Sequence, residues 1–375
     1  MHFLKSLQRY PVIKNNPLLA YDAADVLLIE RAENIQQQAH HRLPQLLVMN
    51  DTYGAVANGI KEFFADSING SDFTIYSDSF ISHHCISNQS VKKYYDLDQL
   101  GHDPIYDEVW MKFPKSMSFF EDQLRSISQV LKPDGWVVMG GMLKHLPHTV
   151  FNSLESIIGP THTELAKKKA RLVFAKKKRD PKNRIEPKWM AQDGIQLKIK
   201  QGAAVFSREK LDQGTRFFIE HLPQNEKGVL VDLGCGNGVV GIRAQQLSPL
   251  LKVIFTDDSY QAVQSAEWNN QQMRESMPEF KFQNPDYQWT HAASAVVDQS
   301  VDWVLCNPPF HQQNTVGTQI AEQMFLDAKR VLKSTGRLRI IGNSHLQYEG
   351  WLKKCFGNCR EVARNTKFTI LESVK

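Results

Sequence analysis

The sequence lacks any apolar run near the about 18–20 residues that a membrane-spanning helix needs, so no transmembrane anchor and no membrane partner are expected in its 375 residues. Its opening, MHFLKSLQRYPVIKNNP, has no uninterrupted apolar stretch of the signal-peptide kind. The expected location is therefore cytoplasmic. Cysteine is scarce, five residues and an odd number. Cys85, Cys235 and Cys306 lie far apart, and Cys355 and Cys359 have no second Cys/His pair at zinc-finger spacing. A disulfide framework is excluded and no metal is expected; the thiols read as reduced and partly buried. His83 and His84 add no metal site if they lie on a strand, where neighbours face opposite ways. With 42% hydrophobic and 23% charged residues, disorder is excluded as the main state. At about 100–200 residues per domain, the chain should form two domains.

What is present is uneven. Residues 166–188, AKKKARLVFAKKKRDPKNRIEPK, hold eleven Lys/Arg and two Asp/Glu, a local charge of +9. The whole chain carries +5, so the remainder is acidic by −4. Such a block is either a solvated interdomain linker or a patch for phosphates, with counterion release supplying affinity. A basic linker lining a nucleic-acid cleft would be both. The candidate RNA contacts are Lys167, Lys168, Lys169, Arg171, Lys176, Lys177, Lys178 and Arg179. Leu172, Val173 and Phe174 split the run and predict a short buried strand.

The two halves carry one pattern twice. AYDAADVLLIERAE pairs with KLDQGTRFFIEHLP, LPQLLVMNDTYGAVA with KGVLVDLGCGNGVVG, DEVWMKFPKS with VDWVLCNPPFH, and VLKPDGWVVMGG with VLKSTGRLRIIG. Four stretches in the same order at a similar offset indicate internal duplication. Alternating β-rich and helical patterns predict an α/β fold with doubly wound sheets. The copies differ where a ligand would bind. The first has Asn50-Asp51-Thr52-Tyr53-Gly54 and Lys112-Phe113-Pro114-Lys115, with one glycine at the turn. It has kept the fold and lost the cofactor cradle.

In the second copy, Val229–Leu233 reads as a strand, Gly234, Gly236 and Gly238 as its turn, and a helix opens near Val239. Ligands of open parallel sheets bind beyond the carboxyl ends of strands, where glycine lets them approach. The turn alone is ambiguous, because residues 236–241 also satisfy the dinucleotide pattern G-x-G-x-x-G. Asp257 ends the next strand, where a carboxylate can take the ribose hydroxyls of an adenosine cofactor. Asp232, just before the turn, suits the amino-acid end of a cofactor and would balance a positive one.

Asn-Pro-Pro-Phe separates the readings. The strand Trp303–Cys306 runs directly into Asn307, Pro308, Pro309 and Phe310. An amide oxygen and a carbonyl held by prolines can each accept one N–H of a conjugated amine, drawing its nitrogen toward tetrahedral geometry. The acceptors are fixed in advance, and Phe310 can stack on a flipped base. A nicotinamide-dependent oxidoreductase accounts for the glycines and Asp257, but not for this corner or the basic block.

VDLGCGNG, Asp257 and NPPF in this order resemble a class I S-adenosylmethionine-dependent methyltransferase acting on an amino nitrogen. With FSREKLDQGTRFF, CNPPFHQQ and the degenerate first copy, the chain resembles the ribosomal RNA guanine-N2 methyltransferases, the large-subunit branch ahead of the small-subunit one. The resemblance implies two tandem Rossmann-like methyltransferase domains: residues 1–185, degenerate, RNA-binding and ending in the basic linker, and residues 186–375, catalytic. It implies S-adenosylmethionine as cofactor, 23S rRNA as partner in free or early-assembly form, and no DNA. By position it places Gly234, Gly236 and Gly238 at the methionine part and Asp257 at the ribose. Asn307 and Pro308 fall at the target amine and Phe310 at the base. Phe206, Asp212 and Gly214 close over the cofactor. THAAS puts His291 or Ala292 at the adenine, where relatives tend to have Asn or Asp.

Overall fold

The apolar runs become the central strands of two sheets, each in its own unit, Met1–Glu186 and Pro187–Lys375 of the computed structural model. The structure describes the whole chain except residues 13–17, 39–42, 65–72, 87–90, 115, 193–196, 206–210, 310–314 and 347. No described helix is long and apolar enough to cross a membrane.

The first unit runs α1 (Ala23–Gln38), β1 (Leu46–Met49), α2 (Ala55–Phe64), β2 (Phe73–Tyr76), α3 (Phe80–Cys85), β3 (Lys92–Tyr94), β4 (Tyr106–Lys112), α4 (Met117–Val130), β5 (Leu131–Met142), α5 (His148–Ile157), β6 (Thr161–Thr163) and β7 (Ala170–Lys176). The second begins with a hairpin, β8 (Lys188–Gln192) and β9 (Leu197–Gln201), then α6 (Gln213–Ile219), β10 (Gly228–Leu233), α7 (Val239–Leu247), β11 (Leu251–Asp257), α8 (Tyr260–Ser276), β12 (Asp286–Trp289), β13 (Val301–Cys306), α9 (Thr315–Val331), β14 (Leu332–Asn343), α10 (Tyr348–Phe356), β15 (Arg360–Arg364) and β16 (Phe368–Val374).

The sheets have seven strands each, in the orders β3-β2-β1-β4-β5-β7-β6 and β12-β11-β10-β13-β14-β16-β15. The duplication extends to register. Met49 pairs with Tyr76 and Met111, and Leu233 with Thr256 and Cys306. The β4–β5 and β13–β14 ladders carry a register shift at matching places, and the last strand pairs antiparallel in both sheets. Central strands covered by helices on both faces read as continuous apolar sequence; β1 and β2 are buried along their whole length.

Two expectations are corrected. His83 and His84 lie on α3, not on a strand. His83 Nε2 is 2.8 Å from Ser77 O, and the His84 ring packs on Tyr10. The basic segment is built into the first unit rather than leading away from it as a linker. It supplies β7, with Leu172, Val173 and Phe174 buried as predicted. Its continuation is pinned back on α4: the Arg184 guanidinium donates to both Asp122 carboxylate oxygens at 3.3 and 2.8 Å, and Lys182 N donates to Ser128 Oγ.

Candidate functional site

Register assembles the site. Leu233, Thr256 and Cys306 lie side by side, so the residues that follow them, Gly234, Asp257 and Asn307, come together at the carboxyl ends of the strands. At about 4.8 Å between strands, the three span about 10 Å. The central strands of a parallel sheet end together, so loops distant in sequence meet there.

The glycine turn is tied to these strand ends. Gly234 N and Cys235 N both donate to Thr256 O, each at 2.9 Å. Asp257 Oδ2 accepts from Gly236 N and Oδ1 from Ser259 N, each at 2.9 Å. Gly234 and Gly236 have φ of +72° and +54°, the left-handed region that favours glycine. A Cβ on Gly236 would meet nothing within 4 Å, and one on Gly234 only the Met324 methyl at 3.2 Å. This open backbone beside a carboxylate fits the adenosine-and-methionine cofactor that the sequence implies. Gly238 is different. A Cβ there would lie 2.8 Å from Ala266 Cβ, so its glycine serves the packing of α7 on α8.

Asp232 is 3% exposed, and Oδ2 accepts from Gly241 N at 2.8 Å. Burial, with the neighbouring Asp257 charge, pushes its carboxyl up to about 8. Burial also raises Asp257 from the ordinary carboxylate range. The Cys235 and Cys306 thiols are pushed well up by burial, with Asp257 and Asp232 adding to it at Cys235 and Asp232 at Cys306. They stay protonated, and neither is a nucleophile.

At the proline corner, Asn307 Nδ2 donates to Thr215 Oγ1 at 2.9 Å. That bond sets the amide orientation. Asn307 Oδ1 is left buried with no hydrogen-bond partner among the described residues. A buried acceptor is costly unless something donates to it. Pro308 is buried beside it. Asp212 caps α6, its Oδ2 accepting from Thr215 N at 3.0 Å. A Cβ on Gly214 would meet this same Asp212 oxygen at 2.9 Å and the Phe368 ring at 3.1 Å. Asp212 and Gly214 thus build the helix start that carries Thr215. Phe206 and Phe310 lie outside the described residues. His291 is 6% exposed after β12, and Ala292 has a φ of +46°.

Sequence reasoning missed Thr215 and a polar stripe on α8. Gln261, Ser265 and Asn269 recur every four residues on a buried helix face. They accept from Ala204 N, Gly202 N and Lys200 N at 3.0, 3.2 and 2.6 Å, and Asn269 Nδ2 also donates to Asn237 O in the glycine turn. The stripe clamps the strand that leads into the site. Polar residues at that spacing on an otherwise apolar face were the available signal.

The basic residues form two groups at opposite ends of β7, about 20 Å apart. Lys167, Lys168 and Lys169 make an exposed turn; Lys168 and Lys169 have φ of +49° and +63°, and Lys167 pairs with Glu30 at 2.9 Å. Arg171 follows, half-buried. At the far end, Lys176 and Lys178 both pair with Asp134, and Arg179 is exposed with Nε donating to Glu155 O. Lys177 is corrected. It is 8% exposed and its ammonium donates to Leu131 O at 2.5 Å, so it faces the protein.

Residues 3–179 match the RLMG N-terminal domain family and residues 196–372 the methyltransferase small domain family. The chain is 37% identical over 98% of its length to the ribosomal RNA large subunit methyltransferase G of Psychromonas ingrahamii, covering 96% of that protein. It is 37% identical over 99% of its length to that of Erwinia tasmaniensis, again covering 96%. Among solved structures it is similar to the T. thermophilus 16S rRNA N2 G1207 methyltransferase RsmC in complex with AdoMet and guanosine. The TM-score is 0.75 and the identity 16%, over 94% of this chain and 92% of that one, which is a likeness of fold. The oxidoreductase alternative falls away with these matches. Two duplicated α/β units, an open glycine turn in the second only, and full-length similarity at this level place the chain in the ribosomal RNA large subunit methyltransferase G family.

Proposed function

We infer that the chain methylates the exocyclic N2 of one guanine in 23S rRNA in the cytoplasm, with S-adenosylmethionine as donor. The observation that carries this reading is Asn307 Oδ1, a buried acceptor with no partner among the described residues, at the strand end beside the open Gly234–Gly236 turn. The names of the 37%-identical relatives support the choice of large-subunit RNA.

S-adenosylmethionine, when bound, supplies a methyl group on a positively charged sulfur. Gly234 and Gly236 present bare backbone to its methionine part. Asp257 faces the ribose hydroxyls, and Asp232 offers negative charge near the positive end. Asn307 Oδ1 and the Pro308 carbonyl each accept one N–H of the guanine amine. Two acceptors on a planar N–H₂ draw the nitrogen out of conjugation and free its lone pair. Because the prolines and Thr215 hold the acceptors beforehand, little reorganisation is needed at reaction. Alignment of this kind supplies about 7–11 kcal/mol. Phe310 stacks on the flipped base, and Phe206 closes over the cofactor. The two lysine groups on β7 hold RNA backbone, which favours protein-free or early-assembly rRNA, where phosphates are accessible.

The test uses purified protein, methyl-labelled S-adenosylmethionine and 23S rRNA from a strain deleted for the gene. Label recovered as N2-methylguanosine in that RNA, and little label in wild-type RNA, supports the reading. Label on another base, or equal labelling of wild-type RNA, overturns it.

A further inference from the structure

Resting on that reading, we propose that Thr215 is a positioning residue whose hydroxyl selects the productive orientation of the Asn307 amide. An Asn side chain has two nearly isosteric orientations. In one, the oxygen faces the target amine and accepts its N–H. In the other, the amide N–H₂ faces the amine, two donors oppose each other, and the nitrogen lone pair is not released.

Thr215 decides between them. Its Oγ1 accepts from Asn307 Nδ2 at 2.9 Å and donates toward Asp212 Oδ2 at 3.4 Å. With its hydrogen directed to a carboxylate, the hydroxyl presents only lone pairs to the amide, so the N–H₂ is held there and Oδ1 is turned away from it. Thr215 is itself rigid. It is 7% exposed in the first turn of α6, and its backbone N–H is held by the same Asp212 carboxylate at 3.0 Å. The chain Asp212–Thr215–Asn307 thus runs from a helix cap to the proline corner, its Thr215–Asn307 bond joining residues 92 apart in sequence.

The duplicated half gives an internal comparison. By the motif alignment, Asp22 stands for Asp212 and Asp25 for Thr215; by sheet register, Lys112 stands for Asn307. The same positions are linked there: Lys112 Nζ lies 2.7 Å from Asp25 Oδ2 and 3.1 Å from Asp22 Oδ2. Both copies couple the helix start to the fourth-strand end. In the first copy the link is an ion pair, which leaves no acceptor to offer. Only the second keeps a neutral amide whose two ends differ, and only there does orientation matter.

The experiment compares Thr215→Val, Thr215→Ser and Asn307→Ala in single-turnover and steady-state methylation of 23S rRNA from the deleted strain. Thr215→Val should lower kcat about 10- to 100-fold, with KM for S-adenosylmethionine and RNA within about twofold and thermal unfolding near wild type. Thr215→Ser, which keeps the hydroxyl, should restore most of kcat. The double variant Thr215→Val/Asn307→Ala should be no slower than Asn307→Ala alone, because Thr215 acts only through that amide. Where valine is not accommodated, Thr215→Ala removes the same acceptor and carries the same readout. A folded Thr215→Val or Thr215→Ala enzyme with wild-type kcat overturns the proposal. So does a Thr215→Ser enzyme as slow as Thr215→Val, or fully additive losses in the double variant. If the wild-type enzyme forms no N2-methylguanosine, the functional reading fails instead, and the two failures are distinct.

Discussion

Lys112 in the first sheet and Asn307 in the second occupy one position of a duplicated fold: each follows the strand residue, Met111 or Cys306, that pairs with the last residue of the central strand. Around Lys112 the cradle is filled from within. Its ammonium pairs with Asp22 and Asp25, its carbonyl accepts from Asn50 Nδ2, and Asn50 and Gln123 exchange two side-chain hydrogen bonds. Asn50 is the register equivalent of Gly234. Val48, Thr52 and Ser77 stand where the second copy has Asp232, Gly236 and Asp257. The chain should therefore bind one S-adenosylmethionine, measured by calorimetry; two equivalents would contradict the filled first cradle. Lys112→Met, which leaves the buried Asp25 unpaired, should cost about 3–5 kcal/mol in denaturant unfolding of the first unit. Calorimetric affinity for the cofactor should be unchanged.

Asn307→Ala should lower kcat for rRNA methylation by about 10²–10³, as for loss of one preorganised polar contact. Cofactor affinity should stay near wild type, since the glycine turn and Asp257 are untouched. Turnover and calorimetry on the same preparation check both halves. An unchanged kcat removes Asn307 from the chemistry.

Much of this was legible because the parallel sheet writes itself into sequence as short apolar runs ending in a signature residue. Gly234, Asp257 and Asn307 could be placed at the carboxyl ends of the strands from their positions after such runs. Other features depend on three-dimensional approach. Gly238 looks like Gly236 in sequence, yet one faces Ala266 and the other open space. Lys177 belongs to a basic run, but just past the end of β7 its backbone N–H donates to Gly135 O and its ammonium to Leu131 O, which turns it into the protein. Thr215 resembles any residue in the first turn of a helix, and its bond to Asn307 bridges segments that sequence order keeps far apart.

RNA affinity should divide between the two ends of β7. Replacing Lys167, Lys168 and Lys169 with Gln should weaken 23S rRNA binding and flatten its logarithmic salt dependence by about 2, at about 0.7 per single-strand phosphate contact. Lys178→Gln/Arg179→Gln should act in the same direction by a smaller amount. Lys177→Met should leave the slope unchanged, because that ammonium is directed into the protein. Filter binding across a salt series distinguishes these outcomes. An unaltered slope in the Lys167–Lys169 variant would remove that turn from the interface.

Asp232 should make cofactor binding depend on pH. Burial pushes its folded-state carboxyl up to about 8, against an unfolded value of about 3.9. Between these values the folded chain holds a proton that the unfolded chain has released. The stability from this group is therefore fully present below pH 4 and is lost as pH rises to about 8. A positively charged ligand beside Asp232 favours the carboxylate, so binding below pH 8 must expel the proton. Affinity for S-adenosylmethionine should rise with pH and level off above about 8, with up to one proton released per site at pH 7. Calorimetry in two buffers of different ionisation enthalpy measures that proton directly. Asp232→Asn should abolish both the release and the slope. Equal apparent enthalpies in the two buffers for the wild-type protein would show that Asp232 is already charged, and that the positive sulfur is balanced elsewhere.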